Sequence, residues 1–482
     1  MTDPKSLEKL RPCGRLETHS TVRHDLGLYN NVACAAYYSP PNPVQPAPLE
    51  PLIHSALGKV IFSHPILSAI PLNENTSSPY FARLPTIDLR KCVFFVKRKT
   101  GFHKGGDDAE LDSIIAEQHN QNFKSELGSL PFWRLVVLTN SPPATKNQFA
   151  ATWIFHHALA DGASGLAFHR AFLAALQSLS STPPPGMSES GAAESAIINT
   201  PTTPLLPPLE SLHPLPLSIP FLLKAQWTDW FPSRPTTLWT AKPITSDPAS
   251  RETKFRSNTL SQQATTRLVQ VSRENKTSVT ATLECLVAAA IFSHLPGAEE
   301  GGGVDRVTAC GATSLRRFLL KEMVSDESLG CWVSRYGFEH RRTRKGDPFS
   351  WAEARKVRQT INKELDKKGK DSTVGLLRWV PDLHKFFLGK MGKERGDSFE
   401  LSNVGVFKAS RMVEGEGCWR VGKVVFSQSG NVVGAGFEVS VVTGGDGCLV
   451  LGIAWLEGVV EGSWIEMVIG SLRAGIEELT KA

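Results

Sequence analysis

The residues best spaced to do chemistry are a histidine pair and the acidic turn behind it: His156, His157, Asp161, Gly162 and Ser164. A neutral imidazole, with an ordinary pKa of about 6.5, takes a proton at neutral pH and returns it. Such a group suits base-assisted attack by a hydroxyl or an amine. Asp161 lies four residues after His157, across a Gly-flanked turn, where it can buttress the turn through an ion pair without touching substrate. The plain structural alternative is that the histidines end a strand and Asp161 caps a helix.

The flanking sequence supplies the elements that position this group. Phe149 to Phe155 is an apolar run rich in β-formers, which predicts a buried strand. Leu166, Phe168, Phe172, Leu173 and Leu176 then recur at helical spacing, with Ser164 placed near the helix N-cap. At such a strand-turn-helix junction a His reaches a cleft while a rigid element backs it.

Other chemistries find less support. There is no G-x-S-x-G elbow, and no cysteine has a histidine partner identifiable from sequence, so direct transfer is expected rather than a covalent acyl-enzyme. Eight cysteines are scattered from Cys13 to Cys448 without a C-x-x-C pair, which implies neither a metal site nor a disulfide framework and points to a reducing compartment. The net charge of +6 is uneven. Between His340 and Arg395 stand 16 Lys/Arg against 7 Asp/Glu, a surplus that suits a cofactor phosphate or a solvated face. No helix or aromatic-basic motif accompanies it, so nucleic acid is not an expected partner. Met1 to Leu26 lacks an apolar signal core, and no run reaches the ~18 apolar residues of a membrane span. The expectation is a cytoplasmic, soluble monomer without membrane attachment.

At 482 residues, 41% hydrophobic, the chain is long enough for two large lobes. A strand is expected at Val32–Tyr38, an amphipathic helix from Leu49 ended by His64-Pro65, strands near Phe81–Leu84 and Cys92–Lys97, a helix at Leu111–Asn120 and a strand at Pro131–Leu138. Ser181 to Pro248 holds 14 of the 32 prolines, so it reads as an interlobe connection with at most short helices around Phe221–Trp230. Ser181 to Thr200 is its expected mobile part. Beyond it come a strand, TKFRSNTL, helices at Gln262–Asn275 and Thr280–His294, a strand ending in Ser314-Leu315-Arg316, a charged helix at Phe349–Asp366, several glycine-punctuated strands and a last helix, Ser463 to Leu479. The division is therefore residues 1–180, 181–248 and 249–482.

Taken in order, RPCGRLETHSTVRHDLGLYNNV, HHALADG, the SLR after a second-lobe strand, ELSNVGVF and FSQS…GFEVSVVT…LGIAWLEG resemble the fungal alcohol O-acetyltransferases, within the HHxxxDG acyl-CoA-dependent acyltransferase and condensation-domain superfamily. The plant family's DFGWG is absent. The resemblance implies an α/β fold: two chloramphenicol-acetyltransferase-like lobes in a V-shaped monomer, with a tunnel at their interface. It implies acetyl-CoA, or another acyl-CoA, as donor, a small-molecule alcohol as acceptor and no metal. By the same resemblance His157 is the general base, Asp161 a structural aspartate paired with Arg316, and Gly162 the site of a close backbone approach. Ser402 and Asn403, with Ser427 and Ser429, are then candidate oxyanion or substrate contacts facing the interface. The competing expectation is a free-standing condensation enzyme whose acyl donor is tethered to a carrier protein. An intact histidine motif speaks against a binding protein without activity.

Overall fold

The computed structural model describes residues 3–40, 48–102, 106–140, 148–181, 196–231, 234–247, 251–297, 303–342, 349–409 and 418–481. Residues 182–195 of the expected mobile part, and 343–348 of the basic region, lie outside these. The described residues form a mixed α/β structure around two large sheets.

The first sheet has the order Arg420–Gln428, Val32–Ser39, Phe149–Phe155, Trp133–Thr139, Val93–Lys97. All its pairings are antiparallel except the last. Phe149–Phe155 is central and buried at every position, as an uninterrupted apolar run demands when both faces of a sheet are covered. The helix Gly162–Ser181 returns along the sheet and packs on Leu49–Ser63, with Leu166, Phe168, Phe172, Leu173 and Leu176 on its buried side. The second sheet runs Leu238–Trp239, Arg306–Ser314, Phe399–Val406, Phe437–Thr443, Leu449–Leu456, Thr253–Leu260, with Val333–Arg341 also paired to Arg306–Ser314. Val279–Ser293 and the closing helix Gly462–Thr480 cover its odd-numbered face, where Phe399, Leu401, Phe437, Val439 and Val441 share one core. The intervening even-numbered positions look towards the first sheet.

Arg420–Gln428 departs from the expected division. It lies in the C-terminal half of the chain yet pairs with Val32–Ser39, which makes it an edge strand of the first sheet. Its Val-Val-Phe run, Val424 to Phe426, is buried, and the second sheet packs against it so closely that a Cβ on Gly452 would stand 2.5 Å from the Phe426 carbonyl oxygen. In the other direction, Val22 and Leu28 from the N-terminal segment join the core of the second sheet. The proline-rich connection is likewise built into both halves. Ile197–Asn199 pairs with Thr86–Asp88, and Leu238–Trp239 with Arg306–Val307. Both are short edge pairings, the places where a proline-rich chain can still enter a sheet.

Of the described elements that carried no sequence expectation, two are long. Arg15–Asp25 is a helix whose buried positions are mostly polar, among them Glu17, Thr18, Ser20, Thr21, Arg23 and His24, so apolar periodicity gave no sign of it. Val333–Arg341 alternates correctly but is broken by Arg335 and Glu339 on its outer side.

Candidate active site

The strand Phe149–Phe155 leads straight into the histidine pair. The His156 amide donates to the Phe132 carbonyl at 2.9 Å and so extends the ladder by one residue. Adjacent residues on extended backbone face opposite sides, and the two rings diverge accordingly.

His156 turns inward and is 1% exposed. Its Nδ1 accepts from the Ala158 amide at 3.0 Å, and its Nε2 lies 3.2 Å from Glu74 Oε1. Glu74 Oε2 meets His24 Nδ1 at 2.8 Å, while His24 Nε2 accepts from the Phe123 amide at 3.1 Å. Burial opposes ionisation of Glu74, but the two histidines overcome it and bring its pKa to about 2. Burial holds His156 at about 4. These three side chains are near enough to share a metal ion, but their protons argue otherwise. Each outer ring nitrogen already accepts a backbone N–H, which leaves a ring proton on the nitrogen facing Glu74. A cation would have to displace both. The set fits a buried carboxylate hydrogen-bonded to His24 and lying 3.2 Å from the His156 ring nitrogen.

His157 turns the other way and is half-buried. Its ring bonds its own main-chain carbonyl, and Nδ1 lies 3.7 Å from Cys331 Sγ. The Tyr29 ring stands 5.8 Å away, centre to centre, with the Arg23 guanidinium 4.6 Å over it. Burial, and then the Arg23 charge, lower the His157 pKa to about 4, so the ring is neutral at physiological pH. Burial also drives the Cys331 thiol well above its ordinary range. The structure thus supplies a Cys–His contact that no sequence spacing announced, with the thiol in its protonated form.

Asp161 is fully buried and does not serve His157. Oδ2 receives Arg316 Nη1 at 2.6 Å and the Trp332 amide at 3.1 Å, and Oδ1 receives the Ser164 amide at 3.0 Å. The Ser164 hydroxyl, expected near the cap, sits inside this network, 3.0 Å from Asp161 Oδ1 and 2.9 Å from Arg316 Nη2. Asp161 itself caps the helix. Burial works against its charge, yet Arg316 and the donated hydrogen bonds hold its carboxyl below the usual range. Arg316 lies just after the second-sheet strand Arg306–Ser314 and stacks 4.9 Å over Trp332, so the pair ties the histidine turn to the other sheet. At Gly162 a Cβ would stand 2.7 Å from Phe426 and 2.8 Å from Val404. These are side chains from the two strands that come to meet the turn, and only glycine leaves them room.

The expected oxyanion contacts lie elsewhere. Asn403 points to the helix-covered face of its sheet, where Nδ2 donates to the Thr280 hydroxyl at 3.0 Å and Oδ1 accepts from Gly405. Ser427 and Ser429 are fully buried. The Ser427 hydroxyl is 2.5 Å from His119 Nε2, and that of Ser429 accepts from the Asn30 and Asn31 amides at 3.1 and 3.2 Å. All three are fixed to the protein's own groups, on the wrong side of a strand. Their neighbours lie on the side of Tyr29, whose ring stands beside His157. Gln428 accepts from the Tyr29 hydroxyl at 3.3 Å and reaches Glu400 at 3.5 Å, while Ser402 donates to Glu400 at 2.9 Å. Glu438 pairs in register with Glu400 on the next strand, is 2% exposed, and neither of its carboxylate oxygens has a partner among the described residues. Burial, with Glu400 beside it, pushes its carboxyl well above the ordinary range. Tyr29, Gln428, Glu400 and Glu438 all lie in segments the sequence marks, and strand alternation is the signal that separates them from Ser427, Ser429 and Asn403.

In the basic region, Arg395 is consumed internally: Nε donates to the Lys242 carbonyl and Nη1 to those of Val432 and Gly434. Lys390 lies 4.8 Å over the Phe386 ring, and burial lowers its pKa to about 8. Part of the expected phosphate-binding surplus is therefore structural.

A family model described as "Alcohol acetyltransferase" matches residues 12–469. The Aspergillus fumigatus protein named "Probable alcohol acetyltransferase crmB" is 37% identical over 474 residues, covering 94% of this chain and 96% of that one. The solved structure of the TRI3 trichothecene 15-O-acetyltransferase from Fusarium sporotrichioides superposes with a TM-score of 0.71 over 100% of this chain and 99% of that one, at 12% identity. The first condensation domain of the CDA synthetase superposes at 0.60, with 14% identity and 97% and 96% coverage. At those identities the two structures speak for the fold alone.

Proposed function

The chain belongs to the alcohol acetyltransferase family, and from that premise we propose that it transfers an acetyl group from acetyl-CoA directly to the hydroxyl of a small-molecule alcohol, with His157 as general base. The observation that carries this reading is the state of the His157 ring. Burial and Arg23 keep it neutral, the ring bonds its own main-chain carbonyl, and Nδ1 lies against Cys331 Sγ. Nε2 is left to take the acceptor's proton. The alcohol oxygen then bonds to the thioester carbon, the C–S bond breaks, and the imidazolium returns its proton to the CoA sulfur. Asp161 plays no part in proton transfer, because Arg316 and two amides engage its carboxylate. It keeps the turn in place. Tyr29, Gln428, Glu400 and Glu438 form a polar wall for the remainder of the acceptor.

A second reading rests on the Cys331–His157 contact: acetylation of the thiol, then transfer to the alcohol. The raised thiol pKa disfavours it, since a protonated thiol is a poor nucleophile. Steady-state kinetics with acetyl-CoA and a panel of alcohols test the proposal. His157→Ala should lose ~10²–10⁴-fold in turnover while calorimetry finds acetyl-CoA binding retained. His156→Ala should be the milder variant for chemistry. An acetyl group trapped on Cys331 would replace direct transfer. Activity only with a carrier-tethered acyl donor would instead make the protein a free-standing condensation enzyme.

A further inference from the structure

Asn403, Ser427 and Ser429 are taken up by the protein's own groups, so the oxyanion of an acetyl transfer at His157 needs another donor. Arg23 is a donor without such employment. It stands in the last turn of the helix Arg15–Asp25, where a cation complements the helix dipole and ordinarily extends to solvent. Instead it is 8% exposed. Among the described residues its side chain forms no ion pair, and of its several N–H groups only Nε is used, on the His19 carbonyl at a long 3.4 Å. A buried guanidinium left in this state is costly. An anion that arrives during turnover offsets the cost.

The fold sets this group beside the histidine turn. The rings of His24 and His156 lie 4.5 Å apart, centre to centre, with the Glu74 carboxylate 2.8 Å from His24 Nδ1 and 3.2 Å from His156 Nε2. Their chain neighbours Arg23 and His157 both stand against the Tyr29 ring, the guanidinium 4.6 Å from its centre and the imidazole 5.8 Å. Glu400 and Glu438 act on Arg23 through their charge, but neither forms an ion pair with it. Of the charges around His157, that of Arg23 weighs most, ahead of Asp161 and His156. A fixed cation there opposes an imidazolium in the resting enzyme. Negative charge developing on the thioester oxygen offsets both positive charges together, so proton uptake and attack assist each other.

Resting on the acetyl-transfer reading above, we propose that Arg23 is a catalytic residue, whose guanidinium donates N–H bonds to the thioester carbonyl oxygen as it becomes the oxyanion. As the alcohol oxygen bonds to the carbonyl carbon and His157 takes its proton, the C=O π pair moves onto that oxygen. When C=O re-forms, the C–S pair leaves with the CoA sulfur, which takes the imidazolium proton. Arg23 keeps its own protons throughout.

Two measurements test this role. Calorimetry compares S-ethyl-CoA, neutral beyond the sulfur, with S-carboxymethyl-CoA, which carries a carboxylate there. The protein should bind the carboxylate at least about tenfold more tightly, and Arg23→Gln should abolish the preference. In turnover at about pH 8, where an imidazole is neutral with or without a neighbouring cation, Arg23→Gln should lose ~10²–10³-fold in kcat with the acetyl-CoA KM little changed. Arg23→Lys should recover part of that loss. Binding of both analogues without preference, a preference that Arg23→Gln retains, or an intact kcat in that variant overturns the proposal and leaves acetyl transfer standing. If Arg23→Gln does not fold, Arg23→Lys and the analogue preference of the parent protein decide the matter. Binding of neither analogue overturns the CoA donor assignment and this role with it.

Discussion

At the scale of single residues, the site is a set of polar groups whose protons have been settled by burial. Asp161 is the clearest case. Its carboxylate compensates a guanidinium that is 5% exposed, and removing one partner of a buried ion pair costs about 3–5 kcal/mol. Asp161→Asn should therefore lower the melting temperature and the activity together; lost activity with unchanged melting would assign Asp161 a direct chemical role. The His157 ring supports a pH prediction. Its pKa in the folded enzyme is lowered to about 4, so the basic form persists as pH falls below 6.5 and disappears only near the lowered value. The acid limb of kcat/KM should stand well below 6.5, measured over the range where circular dichroism shows the fold intact. A limb at 6.5 or above would mean that the ring is solvated during catalysis. The histidine turn and Arg316 were legible in the sequence because they are contiguous motifs. Glu74, His24 and Cys331 were not, since only the fold brings them to the turn.

At the scale of elements, most strands and helices follow from the period of their apolar residues, and the exceptions follow from its absence. Arg15–Asp25 buries threonine, serine, arginine and histidine, so its inner face resembles an outer one. The misplaced contacts at Asn403, Ser427 and Ser429 have a related cause. The segments were identified, but period two leaves open which of two neighbours faces the partner sheet until that sheet is known. Gly162 marks where the helix, Phe399–Val406 and Arg420–Gln428 converge. A methyl there gains about 0.5–1 kcal/mol of helix propensity but meets Phe426 and Val404 at 2.7 and 2.8 Å, and overpacking of this kind typically costs about 1–3 kcal/mol. Gly162→Ala should accordingly lower thermal stability and, by shifting the turn, activity. A melt at or above that of the parent protein would show that the two side chains give way freely.

At the scale of the molecule, a division by composition marks the proline-rich segment but gives no sign of the strand that pairs across it. Composition registers where the chain changes character; it carries no record of a strand that returns. Without Arg420–Gln428 the first sheet has an open edge along Val32–Ser39, and its core lacks Val424, Val425 and Phe426. Residues 1–181 expressed alone should therefore be insoluble or molten, and co-expression with the remainder should recover folded material. A cooperative melt from the isolated fragment would show that the returning strand is dispensable. The same feature sets a schedule for synthesis. Phe155 leaves the ribosome roughly 260 residues before Arg420, which at ~5–20 residues per second is an interval of tens of seconds. Throughout it, the half that carries the histidine motif has no closing strand, and its backbone edge is open to any passing chain. A chaperone requirement during synthesis is the expected outcome, and it should lift once Arg420–Gln428 has emerged.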